Sequence, residues 1–435
     1  MGGRSAPLLR RFCPSAPISG EPIASSWLML FPLLTTALLL SGQDPAAIDE
    51  RAAVQRLTLV ESSPLETSLD SPDLPQTADV WKGMIVGARS ELLLSHFYAS
   101  TAPRSPLNDV IASIEAAARR GVRVRFLLAE RFRKTYPELA QRLGQVDGID
   151  VRFVDYGEVA GGVMHAKYMV ADGEQSFLGS PNFDFRAMDQ IQELGAHLVD
   201  RSIAEGLSRI FEMDWALAGG EAAPTGAAAL APSKLTLAAD QAGDAAPSVK
   251  ATLACSPEGH LPGGVPWDLP LLLELIDSAE ARLRVQVLTY DATGYGGGFF
   301  DRLESALRRA AARGVRVELL VADWCKRKGC VDGLQSLASL DGIDVRFAVI
   351  PDASTGFVEF SRVAHAKLCV ADERAAWIGS SNWEGSYFTT SRNVSLFLEG
   401  AGVGARLARW FDTTFQGEYA EPVVPGKSYE PRRRQ

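Results

Sequence analysis

The sequence predicts an α/β fold: two homologous α-β-α sandwich repeats packed about a pseudo-twofold axis, a dimer within one chain, with the active site at their interface. Two observations carry this expectation. The chain contains itself twice, since Arg120-Gly121-Val122-Arg123-Val124 returns as Arg313-Gly314-Val315-Arg316-Val317, and Asp147-Gly148-Ile149-Asp150-Val151 returns as Asp341-Gly342-Ile343-Asp344-Val345, at offsets of 193 and 194 residues. Each copy also alternates strand-like and helix-like segments, the pattern of a mainly parallel sheet covered by helices on both faces.

Along the first copy, residues 92–98 are apolar and strand-like, 107–120 carry helical spacing, 122–128 read as a strand, 136–143 as a short helix and 149–154 as a strand. Residues 166–171 and 194–199 read as further strands and 203–217 as an amphipathic closing helix; residues 269–415 repeat this order. The chain thus divides into repeats over 77–217 and 251–424, joined by an Ala/Gly/Pro-rich linker over 218–250 and preceded by a polar lead-in segment over 43–76. Residues 425–435, with Arg432, Arg433 and Arg434, read as a solvated basic tail.

Of 435 residues, 46% are hydrophobic, 22% charged and 8% aromatic, which excludes wholesale disorder and a multi-span membrane protein. Forty-four basic against fifty-three acidic side chains leave a net charge of −9, so no global positive field gathers nucleic acid or anionic lipid and any phosphate recognition is local. Arg4, Arg10 and Arg11 precede an apolar run over 27–40 that Pro32 interrupts. The run is shorter than the roughly 20 residues of a spanning helix. Residues 1–42 therefore read as an export signal cleaved near 41–43, or as an uncleaved anchor that associates the chain with a membrane. The expected location is periplasmic or secreted. Cys325 and Cys330 flank a Lys326-Arg327-Lys328 turn and either close a small disulfide loop or stay free, while Cys369 reads as a core thiol. No histidine stands near them at zinc-ligand spacing.

Both copies spell His-x-Lys, four residues, Asp, six residues, Gly-Ser-x-Asn. The first is His165, Lys167, Asp172, Gly179, Ser180 and Asn182; the second is His365, Lys367, Asp372, Gly379, Ser380 and Asn382. With five histidines in the chain, a coincidental second match has a probability on the order of one in a million at average residue usage. In a strand, His and Lys at i and i+2 share a face. Pseudo-twofold packing then gathers two imidazoles, two ammonium groups and two amides around one phosphodiester. Such a set stabilises the non-bridging oxygens and needs no metal or other cofactor. One neutral imidazole attacks phosphorus while the other, protonated, donates to the leaving oxygen.

The duplicated motif is similar to the signature of the phospholipase D superfamily, over residues 59–422. Within it, Phe177-Leu178-Gly179-Ser180-Pro181-Asn182-Phe183-Asp184, Gln192-Glu193-Leu194-Gly195 and Ile378-Gly379-Ser380-Ser381-Asn382-Trp383 resemble the branch of lysosomal, type II membrane phospholipase D-like proteins. The resemblance implies two phospholipase D-like repeats and 5′-end exonuclease activity on single-stranded DNA and RNA. It implies His165 as nucleophile, His365 as acid and base, and Lys167, Lys367, Asn182 and Asn382 as phosphate ligands, although the order of the histidines can be reversed. Asp172 and Asp372 complete the family's catalytic motif and read here as braces of the motif loops, with Ser180 and Ser380 in support. The alternative is a phospholipase D or phosphatidyltransferase acting on phospholipid head groups. In either form the partner is the substrate, single-stranded nucleic acid or phospholipid, and no obligate protein partner is expected.

The halves differ at one place that matters. Glu193 lies eleven residues after Asn182, and its counterpart after Asn382 is Asn393. In this superfamily the carboxylate often reaches the histidine of the opposite half, which places Glu193 on His365, raising its pKa and favouring its acid role. His96 either touches substrate or sits in the core; His197 reads as structural and His260 falls in a Gly/Pro-rich stretch. Trp383 and Tyr387 either stack a base or pack internally, and Trp215 and Trp410 read as core.

Overall fold

The computed structural model describes residues 55–224, 226–238, 247–293 and 298–431. The apolar run over 27–40, with the export or anchor expectation for residues 1–42, and the arginines at 432–434 lie outside them. Among the described residues no helix is long and apolar enough to cross a membrane.

Local sequence explains the elements. In the helix Leu107–Arg119, Val110, Ile111, Ile114, Ala117 and Ala118 recur every three or four residues and bury one face. The Ser105 hydroxyl accepts the Leu107 N–H at 3.1 Å at its start. Gly121, at a φ of 91°, supplies the left-handed residue that turns the chain into the next strand. The closing helix Arg201–Ala218 begins where the Asp200 carboxylate accepts the Ile203 N–H at 2.8 Å. Trp215 and Trp410 are buried in the two closing helices, as the sequence predicts.

The strands Glu91–His96, Arg123–Ala129 and Ile149–Val154 pair in parallel, and so do Arg282–Val287, Arg316–Ala322 and Ile343–Ala348. The parallel expectation stops there. Tyr168–Ala171, Gln175–Gly179 and Glu193–Val199 form an antiparallel meander, repeated by Leu368–Ala371, Ala375–Gly379 and Asn393–Glu399. The reason is local: the chain reverses within Asp172-Gly173-Glu174, far too few residues for a parallel crossover.

Nor do the two layer sets stand apart. Arg56–Ser62, from the lead-in segment, pairs with Glu193–Val199, and Ser248–Ser256 pairs with Asn393–Glu399. Between them lies Ser233–Leu237, so one sheet of sixteen strands runs through both halves. The region over 218–250, expected to be a poorly packed linker, therefore contains a strand. Leu235 and Leu237 alternate inward, and the strand covers two sheet edges that would otherwise be open. A single hydrophobic cluster, with Leu59, Leu194, Leu253, Leu396 and Phe411, crosses the seam. The described residues from 55 to 431 accordingly form one compact unit. Cys325, Cys330 and Cys369 are buried free thiols, so the loop between Cys325 and Cys330 is not closed by a disulfide.

Candidate active site

Among the backbone hydrogen bonds that cross the seam, four form matched pairs. The His165 N–H donates to Arg392 O at 2.8 Å and the Arg392 N–H to Val163 O at 2.9 Å; the His365 N–H donates to Gln192 O at 2.9 Å and the Gln192 N–H to Val363 O at 3.0 Å. Each His-x-Lys segment is thus anchored on the opposite half, one residue before Glu193 or Asn393. Neither histidine nor lysine lies in a sheet strand, because the strands begin at Tyr168 and Leu368. Each lysine folds back so that its Nζ donates to the carbonyl of its own histidine, at 2.5 Å for Lys167 and likewise for Lys367.

The reciprocal contacts continue into the side chains. His365 Nδ1 lies 2.8 and 2.9 Å from the two carboxylate oxygens of Glu193. His165 Nδ1 lies 3.1 Å from Asn393 Oδ1. The Asn393 amide is oriented by its other contacts: Nδ2 donates to Tyr387 O at 2.7 Å, and Oδ1 accepts from the Ser380 hydroxyl at 3.0 Å. An oxygen facing His165 makes Nδ1 the donor, which leaves the Nε2 lone pair free. Ser180 does for Glu193 what Ser380 does for Asn393, donating to Oε2 at 2.5 Å while accepting the Leu194 N–H at 3.0 Å. The motif glycine before it has no room for a side chain, as a Cβ on Gly179 would stand 2.5 Å from Gly195 Cα.

The floor of the site is buried: His165, His365, Asn182 and Asn382 retain between 3% and 7% exposure, and both lysines none. Burial pushes the Lys367 ammonium down to about 7 against the opposing pull of Glu193. Burial lowers Lys167 as well, with repulsion from Lys367 adding to it. Glu193 is raised to about 7 by burial, opposed by Lys367, Ser180 and Lys167. His365 is held well below its ordinary value by burial and then by Lys367 and Lys167. The sequence expectation that Glu193 raises His365 is thus reversed at rest, because desolvation and two neighbouring cations outweigh one carboxylate. His165 is lowered by burial, Lys167, Lys367 and His365, and only Asn393 opposes this. A dry pocket with two amines and little compensating charge is built to receive an anion.

Asp172 and Asp372 lie elsewhere, at the far ends of the strands that lead away from the lysines, about 17 Å from them at ~3.3 Å per residue. The Asp172 carboxylate accepts from the backbone N–H groups of Arg89, Ser90 and Glu91 and from the Ser90 hydroxyl, at 2.7–3.0 Å. Asp372 does the same with Glu280, Ala281 and Arg282 at 2.7–2.8 Å. Their place in the catalytic set is corrected to bracing. For both, burial raises the pKa and the hydrogen bonds lower it by more, so the net direction is down. A depressed carboxylate stabilises the fold above its unfolded pKa and loses that contribution as pH falls through the folded value. Asp172→Asn is expected to cost about 2–3 kcal/mol of stability while kcat changes less than about threefold. Thermal melts beside initial rates check this, and a large loss of kcat with an unchanged melt would contradict it.

Two further expectations are settled by position. Trp383 is 1% exposed and tilted against Trp377 at 6.5 Å, so it packs beneath the site and presents no face to a base. Tyr387 is partly exposed and meets the His165 ring edge-on at 4.9 Å. His96 is fully buried between Trp81, Phe126 and Phe183, and desolvation followed by the Lys167 charge brings it down to about 3. It is a core histidine. His197 bonds Gln175 at 3.1 Å, away from the cleft. Phe97, adjacent to His96 in sequence but singled out by no motif, also meets the His165 ring edge-on, at 4.7 Å. Among the described residues no group of three or more His, Cys, Asp or Glu side chains is placed to hold a metal ion.

Two histidines, each oriented by the opposite half, beside two lysines and two asparagines define a phosphodiesterase centre of the phospholipase D type. Residues 82–215 and 272–415 match the family described as cardiolipin synthase, PLD-like domain, and the chain belongs to the phospholipase D superfamily. It is 33% identical over 399 residues to the 5′-3′ exonuclease PLD3 of Rattus norvegicus, covering 84% of this chain and 79% of that protein. It is 30% identical to the virion nicking-joining enzyme of Vaccinia virus, covering 83% and 88%. In structure it is similar to a phosphatidylserine synthase of Haemophilus influenzae, with a TM-score of 0.56 at 11% identity over 81% of this chain and 86% of that one, a likeness of fold.

Proposed function

We propose that this phosphodiesterase is a 5′-end exonuclease on single-stranded nucleic acid that works through a covalent phosphohistidine, with His165 as nucleophile and His365 as acid and base. The observation that carries the assignment is the unequal pairing of the histidines. Asn393 gives His165 a neutral acceptor, which fixes its tautomer without favouring the cation. Glu193 gives His365 a carboxylate, and an imidazole–carboxylate pair with one shared proton is the form suited to proton transfer. Binding the anionic diester offsets Lys167 and Lys367, which relieves the repulsion that, after burial, holds His365 neutral.

In the first step His165 Nε2 forms a bond to phosphorus, the bond to the leaving oxygen breaks, and the proton on His365 passes to that oxygen. The lysines and the amides of Asn182 and Asn382 take the charge on the non-bridging oxygens. In the second step His365 accepts a proton from water, the water oxygen bonds phosphorus, and Nε2 leaves. These residues neutralise the phosphate by themselves, so turnover is expected to persist in the presence of a chelator.

The nucleic-acid reading is supported by the named exonuclease relatives and by the rings of Phe97 and Tyr387, which both pack against His165. The full chain, incubated with EDTA and either 5′-hydroxyl single-stranded DNA or phosphatidylglycerol vesicles, with His165→Ala as the blank, tests it. Stepwise nucleotide release from the 5′ end is expected. Phosphatidate or transferred lipid beside intact DNA would overturn the substrate and leave the chemistry standing.

A further inference from the structure

The first half carries a row of four partly exposed aromatic rings that leads away from His165 and takes no part in the steps above. Phe97, beside His165, meets Phe132 edge-on at 4.6 Å. Phe132 lies 5.1 Å from Tyr98, and Tyr136 lies nearly parallel to both, at 5.9 Å and 24° from Phe132 and 5.0 Å and 26° from Tyr98. All four retain solvent exposure. Scattered apolar residues on a surface need no explanation, whereas a contiguous row that begins at a reacting group marks a binding surface.

Cations are interleaved with the rings in the segment Arg131-Phe132-Arg133-Lys134-Thr135-Tyr136, and all three are exposed. Arg133 covers the Phe153 ring at 4.8 Å and pairs with Glu130 at 3.3 Å. Arg131 and Lys134 pair with no acid among the described residues. Arg131 stands near the first motif: with Gly162, Val163 and Met164 it lines a groove that ends one residue before His165. Asp155 also lines that groove, but its carboxylate is engaged by the Gly157 N–H at 2.9 Å.

Duplication does not account for the row. In the second half the segment after the equivalent strand is also basic, yet Lys326 binds Glu421 at 2.8 Å and Arg327 lies 3.9 Å from Glu384. Two residues after the first strand of each half, Tyr98 corresponds to Thr289, and one residue after it Phe97 corresponds to Leu288. The second half keeps the exposed Lys328 and the pair Trp324–Phe360 at 6.2 Å, whereas the row of four rings with Arg131 and Lys134 stands in the first half.

We propose that Phe97, Tyr98, Phe132 and Tyr136 form a stacking platform for the bases of a single strand next to the scissile phosphate, with Arg131 and Lys134 contacting its backbone phosphates. The inference rests on the nuclease reading above. Every base offers a π face, so such a track is sequence-tolerant, and a local cationic edge supplies the phosphate attraction that a chain of net charge −9 lacks as a whole.

The test compares the full chain with the double variants Phe132→Ala/Tyr136→Ala and Arg131→Gln/Lys134→Gln. The substrates are oligodeoxynucleotides of about 4–16 nucleotides and the p-nitrophenyl diester of thymidine 5′-phosphate, which carries a single base. The ratio of kcat/KM for oligonucleotide to that for the small diester is expected to fall about tenfold or more in the aromatic variant. Phe132→Trp/Tyr136→Trp is expected to restore it. In the charge variant the slope of log KM against log salt is expected to fall by about 1.4, at ~0.7 per lost phosphate contact. Should the aromatic variant lose both substrates together through misfolding, the charge variant decides by its salt slope. An unchanged ratio and slope, with a wild type that digests the strand, overturns the platform and leaves the nuclease reading intact. A wild type that turns over the small diester but leaves the strand whole overturns both.

Discussion

His365→Ala is expected to complete the first half of the reaction and stall, whereas His165→Ala completes neither half. With a p-nitrophenyl diester the leaving group departs without a proton, so the step that His365 assists as an acid becomes independent of it. The His365→Ala variant should therefore release about one equivalent of p-nitrophenol in a burst and then turn over some 10⁴-fold more slowly than wild type, because nothing activates the water. His165→Ala should show no burst and a loss of at least about 10⁴-fold. Rapid-mixing measurements on both variants distinguish these courses. A burst in His165→Ala and none in His365→Ala would reverse the roles, and steady turnover in both would end the two-histidine account.

Glu193→Gln is expected to move the alkaline limb of the pH–rate profile to lower pH. His365 Nδ1 lies 2.8 Å from the Glu193 carboxylate, with the carboxyl raised to about 7 by burial and the imidazole held low by burial and both lysines. Activity needs His365 protonated when the leaving group departs, so it declines as pH rises through the pKa of that group in the bound complex. Replacing the carboxylate by a neutral amide removes the favourable charge beside the imidazolium and lowers that pKa. The limb should shift down by about 1–2 units, the scale of one close opposite charge, and kcat at pH 7.5 should fall roughly 10–100-fold in consequence. A natural-substrate profile that keeps its alkaline limb in Glu193→Gln would contradict the acid role. Loss of packing alone lowers the whole profile without displacing it.

Much of this site is legible from the chain because duplication writes it twice. His165, Lys167 and Asn182 recur at identical spacing with His365, Lys367 and Asn382, and the one unequal position, Glu193 against Asn393, proves to be the one that separates the two histidines. Asp172 shows the limit of motif reading. It shares the spacing of the catalytic residues, yet its carboxylate faces the amides of Arg89 to Glu91 at the other end of the strand. The meander hid for a related reason, since Gln175–Gly179 is short and fully apolar only at its end, so no period distinguishes it from a loop.

Contacts between distant segments leave the weakest trace. The pairing of Arg56–Ser62 with Ser233–Leu237 across some 180 residues depends on two sheet edges meeting, and an Ala/Gly/Pro-rich composition conceals the alternating leucines that make it. The same holds for Phe97 and Phe132, which stand 35 positions apart and become neighbours only because Glu91–His96 and Arg123–Ala129 run in parallel. Trp383 misleads in the opposite sense: its place just after the motif suggests the cleft, but both residues of the short strand Trp383–Glu384 are buried and the indole packs with Trp377 in the core of the second half.

The covalent intermediate is the feature on which the rest depends, and it can be observed directly. The His365→Ala variant of the full chain, mixed with single-stranded DNA whose scissile linkage bears an activated leaving group, should accumulate a nucleotidyl adduct. Quenching at alkaline pH, followed by peptide mass spectrometry, should place that adduct on His165 and find none in His165→Ala. An adduct on His365 in the wild-type chain, or product formed at full rate with no protein-bound phosphorus at any time, would contradict the mechanism.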